Sequence, residues 1–331
     1  MAAKPILPWK PGSFPLMLAP MQGLTNRVMR RAYIETVHPE TVFTEFVRVS
    51  AVSRKRIAKS DRLEASATFG GVPLVVQLIG HGVKPLTHAA QEVVGEGAVH
   101  LNLNLGCPYG RHTTGRTGGE MLRTPELLPE LLASLREVVP GSLSVKLRAG
   151  YDDLRQVFSL LPLFEGSGVD FLILHPRTVV QKYAGHADHT ITAEVAAATG
   201  LPLIANGDIN TAERGWQIQK ECGVVGLMLG RGAIADPLLF ERLRGKAPAE
   251  MVPGEELQGV AQLLLRVLPE YRETFYGDVQ VLHKLKGVFS AIEAEEVQPT
   301  LRQLKKIKQL DRFHDELLRM AGDCPPGMLE A

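Results

Sequence analysis

A single cysteine stands where a thiol could do chemistry. Cys107 follows the run 100–106 (HLNLNLG) and precedes Pro108 and a stretch, ending at Gly119, rich in glycine and threonine. A lone cysteine often serves only as a small apolar filler, but this one closes an apolar run at the edge of a loop. An ordinary thiol keeps its proton at neutral pH, so it can act as a general acid as well as a nucleophile. Lys146 sits inside the apolar run 144–147, where a lysine is rarely buried without a partner. That partner is either an anionic or carbonyl-rich ligand or Glu45 across the fold. Gln77, within 73–79 (PLVVQLI), presents both donor and acceptor and suits the edge of a pyrimidine-like ring. His175, just after 170–174 (DFLIL), is placed to donate a hydrogen bond to a bound group.

Two glycine-bearing endings complete the set. Asn206–Gly207–Asp208 and Gly230–Arg231–Gly232 each terminate an apolar run. Small residues let a phosphate approach backbone N–H groups, and Arg231 can add a charge-assisted contact. Either glycine alone reads equally well as a tight turn; together, and with Arg231, they favour phosphate. His175, His186, Asp188 and His189 follow no standard zinc spacing, and no metal site is expected.

The elements that position these groups follow from the pattern of the chain. Eight apolar runs, at 16–21, 41–46, 73–79, 100–106, 144–147, 170–174, 201–206 and 224–229, alternate with helical stretches. Among those stretches are one capped near Thr25–Asn26, a basic one at 54–66 and one opening at Asp236–Pro237. Runs this continuously apolar suit a parallel sheet buried on both faces. The fold class is therefore α/β, a TIM (β/α)8 barrel over 1–245, followed by a small helical domain over 250–320 with helices at 255–271, 280–294 and 299–320. In such a barrel, functional side chains gather at the C-terminal strand ends, with the phosphate site usually after strands seven and eight. Pro20, Met21, Gln22, Gln77, Asn104, Cys107, Lys146, Arg148, His175, Arg177, Asp208 and Arg231 all converge on that one mouth.

The stretches Leu18–Ala19–Pro20–Met21, Thr44–Glu45–Phe46, Gln77–Leu78, 102–108 (NLNLGCP), Val145–Lys146–Leu147–Arg148, His175–Pro176–Arg177–Thr178, Ala205–Asn206–Gly207–Asp208 and Leu229–Gly230–Arg231–Gly232 resemble the tRNA-dihydrouridine synthases, in order and spacing, over 14–240. Residues 44–49 (TEFVRV) are most similar to the C subgroup, which acts at uridine 16 of the D loop. The resemblance implies reduction of the C5–C6 bond of a D-loop uridine in tRNA, position 16 first and position 20 second. It implies FMN, with the flavin on Pro20, Met21, Gln22, Gln77, Lys146 and His175 and its phosphate on Asn206, Gly207, Asp208, Gly230 and Arg231. It also implies NADPH (or NADH) as reductant in a separate half-reaction, hydride delivery to C6, and Cys107 as the proton donor to C5. No GxGxxG follows any strand, which agrees with a reductant that visits rather than resides. One departure is visible. Tyr109, Gly110 and Arg111 follow Pro108 where family members often carry a small residue and then a lysine, so the basic function could move to Arg111.

A uracil in folded tRNA has to be extruded to reach such a mouth. Asn104 could read its Watson–Crick edge and Tyr183 could stack on it or its neighbour. Local basic stretches could track phosphates: Arg48, Arg54, Lys55, Arg56, Lys59 and Arg62 near the second strand, Lys284 and Lys286 in the tail, and Arg302, Lys305, Lys306, Lys308 and Arg312 on one tail helix. The net charge of +1 argues against a strongly basic nucleic-acid packager. Three distant cysteines form no disulfide framework or CxxC pair. Residues 1–12 lack the apolar core of a signal peptide, and no apolar run approaches the roughly 20 residues of a membrane span, so a cytoplasmic protein is expected. Two rival readings remain: an FMN-dependent reductase of a free pyrimidine, which the tail and the basic stretches oppose, and a non-catalytic tRNA-binding protein, which Cys107, Lys146 and Arg231 oppose.

Overall fold

The computed structural model describes residues 6–53, 55–109 and 116–322. Lys4, Arg54, Gly110, Arg111 and Cys324 lie outside the described residues. Nine parallel strand segments follow one another round a closed sheet: β1 Leu16–Leu18, β2 Thr41–Phe43, β3 Val47–Arg48, β4 Leu74–Ile79, β5 His100–Leu105, β6 Leu143–Gly150, β7 Phe171–Thr178, β8 Leu203–Asn206 and β9 Gly226–Leu229. β9 returns to pair with β1, and β2 and β3 both pair with β4, so the nine segments fill eight positions of a closed barrel. The expected TIM barrel is thus the fold.

Where the segments depart from expectation, polar residues are the reason. The run 41–46 breaks after Phe43, because the Thr44 hydroxyl leaves its own line to accept from the Gln77 N–H at 3.1 Å. The fifth and sixth barrel strands run further than their apolar cores, to Gly150 and Thr178. Lys146, Arg148, His175 and Arg177 therefore all lie on strands, with Arg148 level with His175.

The barrel's helices are α1 Arg27–Val37, α2 Lys59–Ser66, α3 Val83–Gly95, α4 Leu128–Val138, α5 Gln156–Gly166, α6 His189–Ala198, α7 Ala212–Glu221, α8 Arg231–Ala235 and α9 Leu239–Leu243. Asn26 caps α1 by accepting from the Val28 and Met29 N–H groups. The basic helix expected from 54 starts only at Lys59; before it, Arg56 turns inward to the Ser50 and Ala51 carbonyls, at 3.1 and 2.8 Å. Pro237 does not open a helix. Asp236 ends α8, accepts from the Leu238 N–H at 3.0 Å, and α9 begins at Leu239.

The tail comprises α10 Glu255–Thr274, α11 Gly277–Gly287, α12 Gln298–Lys306 and α13 Leu310–Ala321. The helix expected at 280–294 stops at Gly287, followed by a 3-10 turn over Val288–Ser290. The single helix expected at 299–320 is two, because Ile307 turns extended (φ −66°, ψ 126°). Leu301, Leu304, Leu310, Phe313 and Leu317 stay buried on both pieces. Across the break the chain changes direction, and α13 folds back onto α10.

Inside the barrel, Met17, Phe43, Val75, Phe171, Ile173, Ile204 and Met228 form a core of their own. Trp9 packs edge-on against Phe171 at 4.8 Å and 82° and is 9% exposed. Fully burying a side chain of this kind contributes about 1.5–3 kcal/mol. The N-terminal segment thereby plugs the end where the strands begin, and the open end is the one where they finish. Among the described residues, no helix is long and apolar enough to cross a membrane.

Candidate active site

Every position of the barrel but that of β8 contributes residues, from the strand or the loop after it, to one cavity of about 620 Å³. Pro20, Met21, Gln22, Gln77, Asn104, Cys107, Lys146, Arg148, His175, Tyr183 and Arg231 all line it. A smaller recess of about 100 Å³ adjoins it, lined by Asn206, Gly207, Asp208, Gly230 and Arg231 beside Lys146 and His175. The residues expected at the mouth are therefore brought together, except Arg177, which is buried and lines neither cavity. Lys284 and Lys286 are not among those lining either cavity.

Cys107 is half-buried just past β5, and its loop is fixed from below. The Asn104 side-chain oxygen, Oδ1, accepts from the Gly106 and Cys107 N–H groups, at 3.0 and 2.9 Å. The Asn104 amide donates to Gln77 at 2.8 Å, Gln77 to Asn102 at 2.8 Å, and Asn102 to the Ser144 hydroxyl at 2.8 Å. Ser144 completes the series on the Leu101 carbonyl at 3.2 Å. Buried polar groups need such partners, and here satisfying them also sets the Cys107 backbone. From the far side of the loop, the Gly119 N–H donates to the Cys107 carbonyl at 3.0 Å. Gly118, at φ +61°, brings its α-carbon so near that a Cβ would stand 3.0 Å from that of Cys107.

Lys146 projects from β6 and donates to the Asn206 carboxamide oxygen at 2.8 Å. Glu45 is not its partner: it accepts a backbone hydrogen bond from Gly23 and faces Lys284 and Arg30. Burial, with the Arg148 guanidinium adding to it, pulls the Lys146 ammonium down to about 7. Burial and the same cations hold His175 well below its ordinary value. Arg177 Nη1 lies 3.0 Å from His175 Nε2. A guanidinium can only donate, so Nε2 accepts and the neutral ring carries its proton on Nδ1.

Two arginines that the spacing exposed, but to which sequence reasoning gave no role, frame the site. Arg177, two residues beyond His175 on the same face of β7, is 2% exposed and grips Asp208 through two bonds of 3.0 and 2.7 Å. Burial alone would raise the Asp208 carboxyl; the Ala187 N–H and Arg177 outweigh it and hold it below its ordinary value. Arg148, two beyond Lys146, is 1% exposed and donates to the Gly106 and Thr178 carbonyls, at 2.9 and 2.8 Å, tying the Cys107 loop to the end of β7. Gly207 has φ +112°, and a Cβ there would lie 3.2 Å from the His175 ring. At that position the absence of a side chain is what leaves room beside the histidine.

Tyr183 stands over this end, 4.8 Å from the Arg231 guanidinium, with Tyr109 at 6.3 Å. Phe46, Leu24, Tyr109, Ser290 and Ala291 also line the cavity. The last two come from the tail, and nothing in their types marks them as site residues. Arg48 is exposed at the rim, over the Phe46 ring at 5.4 Å. Lys284 lies 5.1 Å above the Phe275 ring. Lys286 donates to the Lys305 and Ile307 carbonyls, holding the end of α12. Arg302, Lys305, Lys306, Lys308 and Arg312 are exposed.

An open mouth of this polarity at the C-terminal end of a closed parallel barrel is how (β/α)8 enzymes are built. The model of the dihydrouridine synthase family matches residues 17–321, and the chain belongs to that family. A tRNA-dihydrouridine(16) synthase of Haemophilus influenzae is 32% identical over 92% of this chain and 98% of its own. One from Cupriavidus necator is 30% identical over 91% and 97%. The tRNA-dihydrouridine synthase B of Pseudomonas aeruginosa is 32% identical over 83% of each chain. The expected likeness to the subgroup acting at uridine 16 is thus found. Among solved structures, morphinone reductase in complex with tetrahydroNAD shares the barrel, with a TM-score of 0.51 at 15% identity over 73% of this chain and 89% of that one.

Proposed function

We propose that this protein reduces a D-loop uridine of tRNA, at position 16, to 5,6-dihydrouridine, with FMN reduced by NADPH and Cys107 as the proton donor. The observation that carries the reading is the joining of two cavities in one mouth, with Cys107 at the larger and the Gly207, Gly230 and Arg231 recess at the smaller. The recess suits a phosphate: Arg231 lies beside it, and Gly207 and Gly230 expose backbone there. Pro20, Met21, Gln22, Gln77, Lys146 and His175 would hold the ring system, with His175 offering its Nδ1–H and Lys146 an ammonium that a bound anion or carbonyl would keep protonated. Held by these residues, a reduced flavin would supply the hydride that C6 of the uracil needs.

The chain's own residues do the rest. Cys107 gives its proton to C5, from a backbone held by Asn104 and Gly119. Asn104 keeps one amide proton beyond its bond to Gln77, and that donor can meet a carbonyl of the base. Tyr183 supplies a stacking face at the rim. The tail over 250–320 and Arg48 dock the tRNA body, and the exposed cations of α12 and α13 supply phosphate contacts. Lys284 joins them, whereas the two carbonyls on its ammonium assign Lys286 to the packing of the tail. Mapping dihydrouridine by position in tRNA from cells lacking and regaining the gene tests the reading. Loss and return at position 16 is expected; an unchanged map overturns it, and a change at position 20 alone overturns the positional assignment.

A further inference from the structure

Arg231 is an ion-pair partner of Glu293, and that pair joins barrel to tail. Arg231 opens α8 directly after β9; Glu293 lies in the irregular segment that follows the 3-10 turn Val288–Ser290. Ser290 and Ala291, just before it, line the main cavity, so this segment passes along the mouth. The same guanidinium lies 3.7 Å from Asp208. The two carboxylates are not alike. Asp208 is fixed by Arg177 and the Ala187 N–H, and is 19% exposed. Glu293 is 61% exposed and belongs to a segment without regular structure.

We propose that Glu293 competes with the flavin phosphate for Arg231, so that cofactor binding and the seating of the tail segment at the mouth are coupled. This rests on the reading of Arg231 as a phosphate contact. A guanidinium fork engages one bidentate anion well, and a second anion on the same face is repelled by the first. An exposed ion pair is weak, whereas a phosphate in the recess gains backbone N–H groups as well as the arginine. Phosphate therefore displaces Glu293 and frees the segment bearing Ser290 and Ala291. Reciprocally, anything that holds the segment down, docked tRNA included, changes the affinity for FMN by the same factor.

The test is a fluorescence titration of the flavin-free full chain with FMN and with riboflavin, which lacks the phosphate, for wild type and Glu293→Gln. Wild type should prefer FMN. E293Q should bind FMN roughly two- to fivefold more tightly, the span expected for loss of one exposed competing ion pair, with riboflavin affinity unchanged. Hydrogen exchange in 288–297 should quicken with FMN but not with riboflavin. Wild type binding both flavins equally would overturn the phosphate reading itself. A wild-type preference for FMN combined with unaltered or weakened FMN binding in E293Q, or an equal gain for both flavins, would overturn the competition and leave the phosphate reading standing.

Discussion

Gly119→Ala should uncouple the two half-reactions. A Cβ at 119 would lie 2.5 Å from Val179 Cγ2, 3.0 Å from its Cγ1 and 3.1 Å from the Cys107 carbonyl. Carbons rest about 3.5–4.0 Å apart, so about 1 Å has to be found. Val179 cannot easily give it: the side chain is 3% exposed and its N–H is bound to the Gly150 carbonyl at 2.9 Å. The Cys107 loop, held to Gly119 by one 3.0 Å bond, yields instead. Overpacking of this kind costs about 1–3 kcal/mol of stability, and a displacement near 1 Å at a reacting group can cost about 10²-fold in rate. Rapid mixing of prereduced enzyme with tRNA should show that loss, while reduction of the bound flavin by NADPH keeps its wild-type rate. Trimming the obstruction in the double variant Gly119→Ala, Val179→Ala should restore much of the tRNA step. A folded G119A enzyme that reduces tRNA at the wild-type rate would refute the argument that this contact places Cys107.

Other perturbations separate the remaining roles. Cys107→Ala should spare flavin reduction and slow tRNA reduction by about 10²–10⁴-fold in single-turnover assays, the usual worth of a positioned general acid; equal loss in both would make the thiol structural. Lys146 is pulled down to about 7 in the folded protein, against an ordinary value of about 10.5. Between those values the unfolded chain binds the extra proton, so the stability of flavin-free protein should rise with pH from about 7 towards 10.5. Lys146→Met should flatten that rise in urea unfolding series, and an identical slope in both proteins would show that the ammonium is not strained by burial. Replacing the exposed Arg302, Lys305 and Lys306 with Ala should raise KM for tRNA and flatten its salt dependence, with FMN affinity unchanged. Unaltered KM across salt concentrations would remove α12 from the docking surface.

The barrel was legible because parallel strands buried on both faces leave continuous apolar runs, and the mouth because polar residues at 77 and 146 stand within those runs while His175 and the glycines at 207 and 230 directly follow them. Reading strands by apolar content alone stopped them too early at Leu147 and Leu174, since Arg148 and Arg177 look like loop residues until their partners are seen. Both are buried because backbone carbonyls and Asp208 neutralise them, and a one-dimensional pattern does not carry that information. The break at Ile307 was hidden for a related reason: apolar spacing continues across it, and only the fold of α13 back onto α10 requires it. The contribution of Ser290, Ala291 and Glu293 to the mouth arises from the tail's docking on the barrel. Small or exposed residues far along the chain give no local signal of such a place.

The amide series beneath Cys107 has a sense of direction. Each member donates away from the thiol: the Cys107 peptide to Asn104, Asn104 to Gln77, Gln77 to Asn102, Asn102 to Ser144, and Ser144 to Leu101. One end is a peptide N–H that can only give a proton, the other a peptide carbonyl that can only receive one, so the row has no reversed form. It behaves as a single polarised object laid through the hollow of the barrel, and its members polarise one another. Exchanging any one amide for its acid deletes a donor in mid-row, and the fault is then felt at both ends. The orientation of a loop at the rim, and of the Asn104 amide that faces the mouth, is thereby governed by uncharged side chains deep among the strands.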